Sequence, residues 1–160
     1  MTTRLECAQF SESVYGNGNT FDTNVWEQIK DIPGLNADGY RTAFNGFAAA
    51  AYGKLSGYDE NNNPIYSEIV VSYRGSGQNH EDIGDWLTSN LAQAFDYLPD
   101  QLSNALDFYK DVFKQYQNTD IRITGHSLGG ALAQLVGAVQ KETPKRHKKI
   151  QLNIYLIFIF

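Results

Sequence analysis

The sequence predicts an α/β fold in which a partial, mostly parallel sheet is flanked by helices. Three observations support this prediction. An alternating β-type run at residues 121–124 leads directly into Gly125-His126-Ser127-Leu128-Gly129, and a run of small and apolar residues with helical character follows at once. Two β-type stretches joined by a turn-forming segment lie upstream, and an amphipathic helical segment separates them from the pentapeptide. Strands and helices that alternate in this way are typical of α/β domains.

The pentapeptide is typical of a nucleophile elbow, a sharp turn between a strand and a helix. Gly125 and Gly129 flank a backbone so tight that a Cβ at either position would clash, and Ser127 is forced into strained dihedral angles. The turn holds the Ser127 hydroxyl at a helix N-terminus, where free N–H groups favour negative charge. We expect the Leu128 N–H to point at an oxyanion. The alternative is a glycine-rich turn with an ordinary N-cap serine.

Three motifs carry a resemblance to a known family. Residues 125–133 resemble the nucleophile elbow of the class 3 (fungal-type) lipases within the α/β-hydrolase superfamily. Residues 70–76, Val-Val-Ser-Tyr-Arg-Gly-Ser, are similar to the strand of that family that ends in Phe/Tyr-Arg-Gly-Ser/Thr. Asp85-Trp86 resembles the Asp/Asn-Trp pair that follows this strand, and the whole resemblance covers residues 44–139.

The resemblance implies a serine carboxylic ester hydrolase of the lipase or phospholipase type, with an α/β-hydrolase-like fold. It assigns Ser127 as the nucleophile, and it assigns the hydroxyl of Ser76 and the amide of Leu128 as oxyanion donors. The implied partner is a lipid or other ester, met through transient contact with a lipid–water interface. No cofactor and no metal are expected.

Composition and charge exclude several other classes. The 160 residues are enough for one domain with a real core. Residues 1–140 carry eight basic and seventeen acidic side chains, a net charge of −9, which argues against nucleic-acid binding. The single cysteine, Cys7, permits no intrachain disulfide and is expected to pack on a helix face. The histidines and Cys7 show no metal-ligand spacing, and neither a signal-peptide pattern nor a transmembrane stretch is present.

Periodicity and turn signals predict the remaining elements. The spacing of Leu5, Ala8, Phe10 and Val14 predicts a helix over residues 5–15 that ends at Gly16-Asn17-Gly18. Residues 22–30 predict a second short helix with Val25, Trp26 and Ile29 inward. A buried strand is expected at 44–55, a hairpin turn at 59–64 and a returning strand at 65–73.

The second half of the chain is predicted to be mainly helical around the elbow strand. Residues 77–81 are expected to form a loop at the carboxyl edge of the sheet, followed by an amphipathic helix at 82–93. That helix is either a lid or pocket rim, as in lipases, or a plain core helix. Residues 99–117 show the clearest helical spacing, and the helix after Ser127 is expected to reach about residue 140.

The general base and its orienting carboxylate are not evident. Hydrolases of this superfamily place an acid and then a histidine after the nucleophile, but only Glu142 and His147 follow Ser127 in that order. Glu142 lies fifteen residues along a helix, about 22 Å away, and His147 belongs to a basic run. Strand alternation directs His126 away from Ser127, and His80, although on the correct edge, is a weak candidate.

The composition changes abruptly at residue 141. Residues 141–160 form a basic and then apolar tail whose last part imitates a strand and is expected to promote aggregation. We interpret residues 1–140 as the N-terminal portion of a lipase-like domain, with a fragment, a frameshift and a natural end all left open. This chain is therefore expected to be catalytically silent or nearly so. The alternatives are a pseudo-lipase that binds acyl chains or a partner, and a thioesterase or peptidase on the same fold.

Overall fold

The computed structural model describes residues 2–16, 18–75 and 98–142, with side chains described up to residue 140. Within these ranges the chain forms three helices and five strands. The helices are α1 (Arg4–Ser13), α2 (Leu98–Gln115) and α3 (Leu128–Glu142), and the strands are β1 (Trp26–Gln28), β2 (Arg41–Thr42), β3 (Ala48–Tyr58), β4 (Pro64–Tyr73) and β5 (Asp120–Gly125).

The strands form one mixed sheet with the order β1-β3-β4-β5, and β2 pairs with another stretch of the same outer edge of β3. β3 and β4 form an antiparallel hairpin, because their short turn leaves no room for a crossover. β4 and β5 are parallel and in register to their ends, where Tyr73 lies beside Gly125. The α/β class with flanking helices is confirmed. The sheet was expected to be mostly parallel, but among the described strands it is mixed: β3 is antiparallel to β1, β2 and β4, and β5 is parallel to β4.

Helices cover both faces of the sheet. On one face, alternate residues of β3 and β4, such as Ala49, Ala51 and Val71, pack against apolar side chains of α2 and α3. On the other face, Ala50 and Val70 pack with Phe10 of α1 and its neighbours. A strand that is buried on both faces must be apolar at successive positions, which explains the continuous apolar runs in the sequence.

Buried polar contacts fix α1 on the sheet. The Ser72 hydroxyl of β4 donates to the Phe10 carbonyl at 3.1 Å, and Ser11 lies 3.1 Å from the Thr124 hydroxyl of β5. Near the start of α1, the Thr2 N–H donates to Glu68, which also forms a buried ion pair with Arg122. α1 therefore runs towards the end of the sheet where β4 and β5 finish. We call that end the Ser127 edge.

Several predicted elements are confirmed, with bounds close to those expected. The N-terminal helix begins with a capping box between Thr3 and Glu6, and the hairpin turn at residues 59–63 contains Asn62 at φ +63°. β4, the helix at 98–115 and the helix after Ser127 also match. No helix in the described ranges is long and apolar enough to cross a membrane.

The predicted helix at residues 22–30 is wrong. Two backbone bonds close a turn, from the N–H groups of Val25 and Trp26 to the Asp22 carbonyl, and residues 26–28 then pair with β3. Trp26 and Ile29 are buried, as expected, but Trp26 lies in the edge strand β1 and Ile29 directly follows it. The spacing of so few apolar residues fits either structure, and the free edge of β3 decided between them.

The start of β3 also differs from the prediction. The strand predicted from residue 44 begins at Ala48, because residues 43–47 form a turn and Phe44 is fully exposed. Leu5, one of the residues whose spacing predicts the N-terminal helix, is 70% exposed, whereas Cys7 is buried. The predicted loop at 77–81, the helix at 82–93 and the tail beyond 142 lie outside the described residues.

Candidate active site

Ser127 lies in a sharp turn between the end of β5 and the start of α3. Its φ angle is +55°, a left-handed conformation that is rare for a residue with a side chain and typical of functional turns. The Gly129 N–H donates to the His126 carbonyl at 3.0 Å, and the Gly130 N–H donates to the Ser127 carbonyl at 2.9 Å. The predicted backbone strain at Ser127 is therefore confirmed.

Both flanking glycines are required by close backbone contacts. A Cβ at Gly125 would overlap the carbonyl group of Gly129, and a Cβ at Gly129 would overlap the carbonyl of Tyr73 in β4. Backbone atoms cannot rotate away as a side chain can. Glycine at both positions therefore lets α3 begin directly against the ends of β4 and β5.

The Leu128 N–H is available as a donor at the start of α3. Among the described residues no acceptor takes this N–H, which is expected for the first turn of a helix. The aligned peptide dipoles of this 15-residue helix add positive potential at the same point. The arrangement suits an anionic oxygen beside Ser127.

The end of β4 lies against the same turn. A Cβ built on the buried Gly75 would lie 3.3 Å from the Ser127 Cβ and 2.7 Å from the His126 carbonyl oxygen. The residue after Gly75 is Ser76, which lies outside the described part of the chain, so its role as an oxyanion donor stays a prediction.

Tyr15 is a contact of this site that sequence reasoning missed. The Gly75 N–H donates to the Tyr15 hydroxyl oxygen at 3.2 Å, and this hydroxyl lies 3.4 Å from the His126 Nδ1. Burial is the main cause that raises the pKa of Tyr15 above its ordinary value, so the hydroxyl stays protonated. The sequence showed Tyr15 only as the last residue of a helical stretch, and no local pattern could connect it with Gly75, sixty residues away.

No base for Ser127 is found among the described residues. Their hydrogen bonds include none to the Ser127 hydroxyl, and the ring of His126 meets Tyr15. The backbone places Glu142 at the far end of α3, about 22 Å from Ser127 by helical rise. His80 and His147 lie outside the described ranges.

Cys7 and the possible metal ligands are other candidate groups among the described residues. Cys7 is one of the buried residues of α1, and burial raises the pKa of its thiol to about 11, so it remains protonated near neutral pH. Within the described ranges, no group of His, Cys, Asp and Glu is placed to hold a metal ion.

We expect Tyr15→Phe to lower the free energy of unfolding by about 1–3 kcal/mol, because the buried Gly75 N–H loses its acceptor. Urea denaturation measures the change. Tyr58→Phe is the matched control, since Tyr58 is 56% exposed. Removal of its hydroxyl should lower the free energy of unfolding by less than about 0.5 kcal/mol. Equal effects of the two substitutions would contradict a structural role of the Tyr15 hydroxyl at this site.

The chain is similar to known proteins. A family model described as the Tle-like phospholipase domain matches residues 6–145. A stretch of 33 residues, 21% of this chain, is 64% identical to a protein of Vanderwaltozyma polyspora named "Putative lipase ATG15", of which it covers 6%. The protein of the same name in Saccharomyces cerevisiae strain S288c is 57% identical over 35 residues, covering 22% of this chain and 7% of that protein. These matches thus span less than a tenth of the curated relatives.

Solved structures of lipases are similar in outline. The native Rhizomucor miehei lipase propeptide complex has a TM-score of 0.47 and 20% identity, over 85% of this chain and 47% of that one. The lipase of Rhizopus microsporus var. chinensis has a TM-score of 0.46 and 18% identity, over 97% and 58% of the two chains. Likeness at this level assigns no residue a role.

Proposed function

The chain belongs to the family of Tle-like phospholipase domains, and from that membership we propose that it is built to hydrolyse carboxylic esters of lipids through an acyl-enzyme on Ser127. A lipase-type or phospholipase-type hydrolase domain is what the family match supports. The nucleophile, the oxyanion donors and the lipid substrate are our assignments.

The proposed reaction proceeds in two steps. The Ser127 Oγ attacks the carbonyl carbon of the ester, a base takes the hydroxyl proton, and the C–O bond to the alcohol breaks as that proton reaches the leaving oxygen. Water then attacks the acyl-enzyme and releases the fatty acid. A base and an orienting carboxylate are needed for both steps, and neither contacts Ser127 within the described residues.

Two donors would stabilise the oxyanion. The Leu128 N–H supplies one, since it stands at the start of α3 with no acceptor among the described residues. The Ser76 hydroxyl would supply the other, because the preceding Gly75 lies against Ser127. Each donor of this kind is worth about 3–4 kcal/mol in the transition state.

The left-handed backbone of Ser127 carries the proposal. An ordinary N-cap serine has an extended backbone and turns its side chain onto the N–H groups of its own helix. Ser127 instead has φ +55°, and its hydroxyl makes no such bond among the described residues. The strain keeps the hydroxyl away from the helix and available to a substrate.

The test of the proposal is hydrolysis by a longer form of the protein that carries an Asp and a His downstream of Ser127. Phospholipid, triacylglycerol and acyl-thioester substrates are compared, with Ser127→Ala as the blank. We expect Ser127-dependent release of fatty acid from the oxygen esters. Release from the thioester alone would indicate the thioesterase alternative, and no release from any substrate would indicate a pseudo-lipase.

In that longer form, we expect Ser76→Ala to lower kcat by about 10²–10³-fold while leaving the fold intact, because one oxyanion donor is lost. Initial rates on a soluble short-chain ester measure the effect, and circular dichroism checks the fold. Ser103→Ala, an exposed serine of α2, is the control and should retain the parental rate. Parental rates in Ser76→Ala would remove Ser76 from the oxyanion hole.

A further inference from the structure

One large apolar side chain stands fully exposed at the Ser127 edge. Phe44 is 114% exposed, and the next most exposed large apolar residue of the described chain, Leu5, is 70% exposed. The other exposed apolar side chains of the described residues lie elsewhere on the fold. Tyr58 and Ile65 flank the hairpin turn at the opposite end of the sheet, and Leu135 and Val139 are more than one turn into α3.

Strand register places the turn that contains Phe44 at the same end of the sheet as the candidate site. The Arg74 N–H at the end of β4 donates to the carbonyl of Ala48, the first residue of β3, at 2.9 Å. Phe44 precedes Ala48 by four residues, in a turn beyond that end of the strand. Gly75, the residue after Arg74, lies against Ser127. The Phe44 loop, which we define as residues 43–47, therefore belongs to the Ser127 edge.

Hydrogen bonds within the Phe44 loop and from neighbouring residues fix its conformation. The Ala43 N–H donates to the Phe47 carbonyl, and the Gly46 N–H donates to the Ala43 carbonyl. The Asn45 carbonyl accepts from Gln101 at 2.8 Å, and the Gly46 carbonyl accepts from Arg74 at 3.4 Å. The Phe47 N–H donates to the Asn45 side chain. Four of the five backbone carbonyls in the loop thus have partners inside the protein.

These contacts reduce the cost of moving the loop into an apolar layer. A backbone group that enters such a layer without a hydrogen-bond partner costs free energy, and most of these groups already have partners. Transfer of a phenylalanine ring from water into an apolar layer has a favourable free energy, and aromatic side chains are favoured at lipid interfaces. A protein partner is less suitable, because one aromatic ring offers far less area than the roughly 1,000 Å² of a specific interface.

We propose that the Phe44 loop inserts its aromatic ring into an electrically neutral lipid layer and so seats the Ser127 edge on that surface. The inference rests on the proposed function, which requires a lipid ester to reach Ser127. Residues 1–140 carry a net charge of −9, which disfavours an anionic layer and favours a zwitterionic one.

Binding to phosphatidylcholine vesicles tests the inference without any chemistry. The 160-residue chain is sedimented with sucrose-loaded vesicles, and the partition coefficients of the parent and its variants are compared. We expect Phe44→Ser to lower the partition coefficient at least about tenfold. Leu5→Ser and Ile65→Ser remove exposed apolar side chains away from the Ser127 edge and should change it less than about twofold.

A second measurement reports the position of residue 44 directly. In Phe44→Trp, vesicles of brominated phosphatidylcholine should quench the added fluorescence, after subtraction of the parental signal, whereas Leu5→Trp should show no added quenching. Parental binding by Phe44→Ser, equal losses in all three serine variants, or no vesicle binding by the parent would overturn the inference. Sedimentation and quenching require no hydrolysis, so a failure of the proposed chemistry remains distinguishable from a failure of this proposal.

Discussion

The 160-residue chain is expected to hydrolyse a short p-nitrophenyl ester several orders of magnitude more slowly than a complete serine hydrolase does. The physical reason is that the Ser127 hydroxyl has no base beside it among the described residues, and that Glu142 lies about 22 Å away. Loss of a triad member costs up to about 10⁶-fold in kcat, whereas the oxyanion hole alone retains about 10³–10⁴-fold over water. We therefore expect a low rate that Ser127→Ala changes little.

A low rate has two possible causes, a missing base and a nonfunctional nucleophile, and a base added in solution distinguishes them. If the elbow is competent, imidazole in solution should accelerate labelling of the parent by a fluorophosphonate and leave Ser127→Ala unlabelled. Rapid turnover that disappears in Ser127→Ala without imidazole would contradict the expected silence and would show that the chain contains its own base. His147→Ala and His80→Ala then identify that base, and a loss in His147→Ala would mean that our exclusion of residues 141–160 was wrong.

Gly129→Ala is expected to have the largest effect on stability, a loss of about 3 kcal/mol in the free energy of unfolding. The new Cβ would overlap the carbonyl of Tyr73 and would lie 2.9 Å from the Arg74 carbonyl carbon. Because these are backbone atoms, only a shift of α3 from the sheet can relieve the contact. That shift would also move the Leu128 N–H away from its position beside Ser127.

Urea denaturation of Gly129→Ala and of Gly16→Ala checks this prediction. Gly16 has φ +84° and no atom within 4 Å of an added Cβ, so Gly16→Ala carries only the strain of a left-handed backbone, about 1–2 kcal/mol. The difference between the two variants measures the steric contact at the elbow. Equal losses would mean that α3 accommodates the methyl group and that the close approach to β4 is not required.

The sequence by itself determined the parts of this protein that depend on neighbouring residues. The turn at Ser127 could be predicted because its glycines, its strand and its helix are consecutive, and the backbone angles follow from that local pattern. The same holds for the hairpin turn before β4 and for the helix at 98–115. The family resemblance rested on these contiguous motifs, and the match to residues 6–145 confirms it.

Only the tertiary structure decided features that depend on distant pairing. Residues 26–28 became a strand because β3 offered a free edge, although their spacing also fits a helix. Tyr15 reached Gly75 because buried hydrogen bonds fix α1 against β4 and β5. Phe44, expected in a buried strand, is exposed because the turn before Ala48 begins where the sheet ends. Local sequence sets backbone preferences, but which surfaces meet, and which side chains remain in water, depends on contacts between residues far apart in the chain.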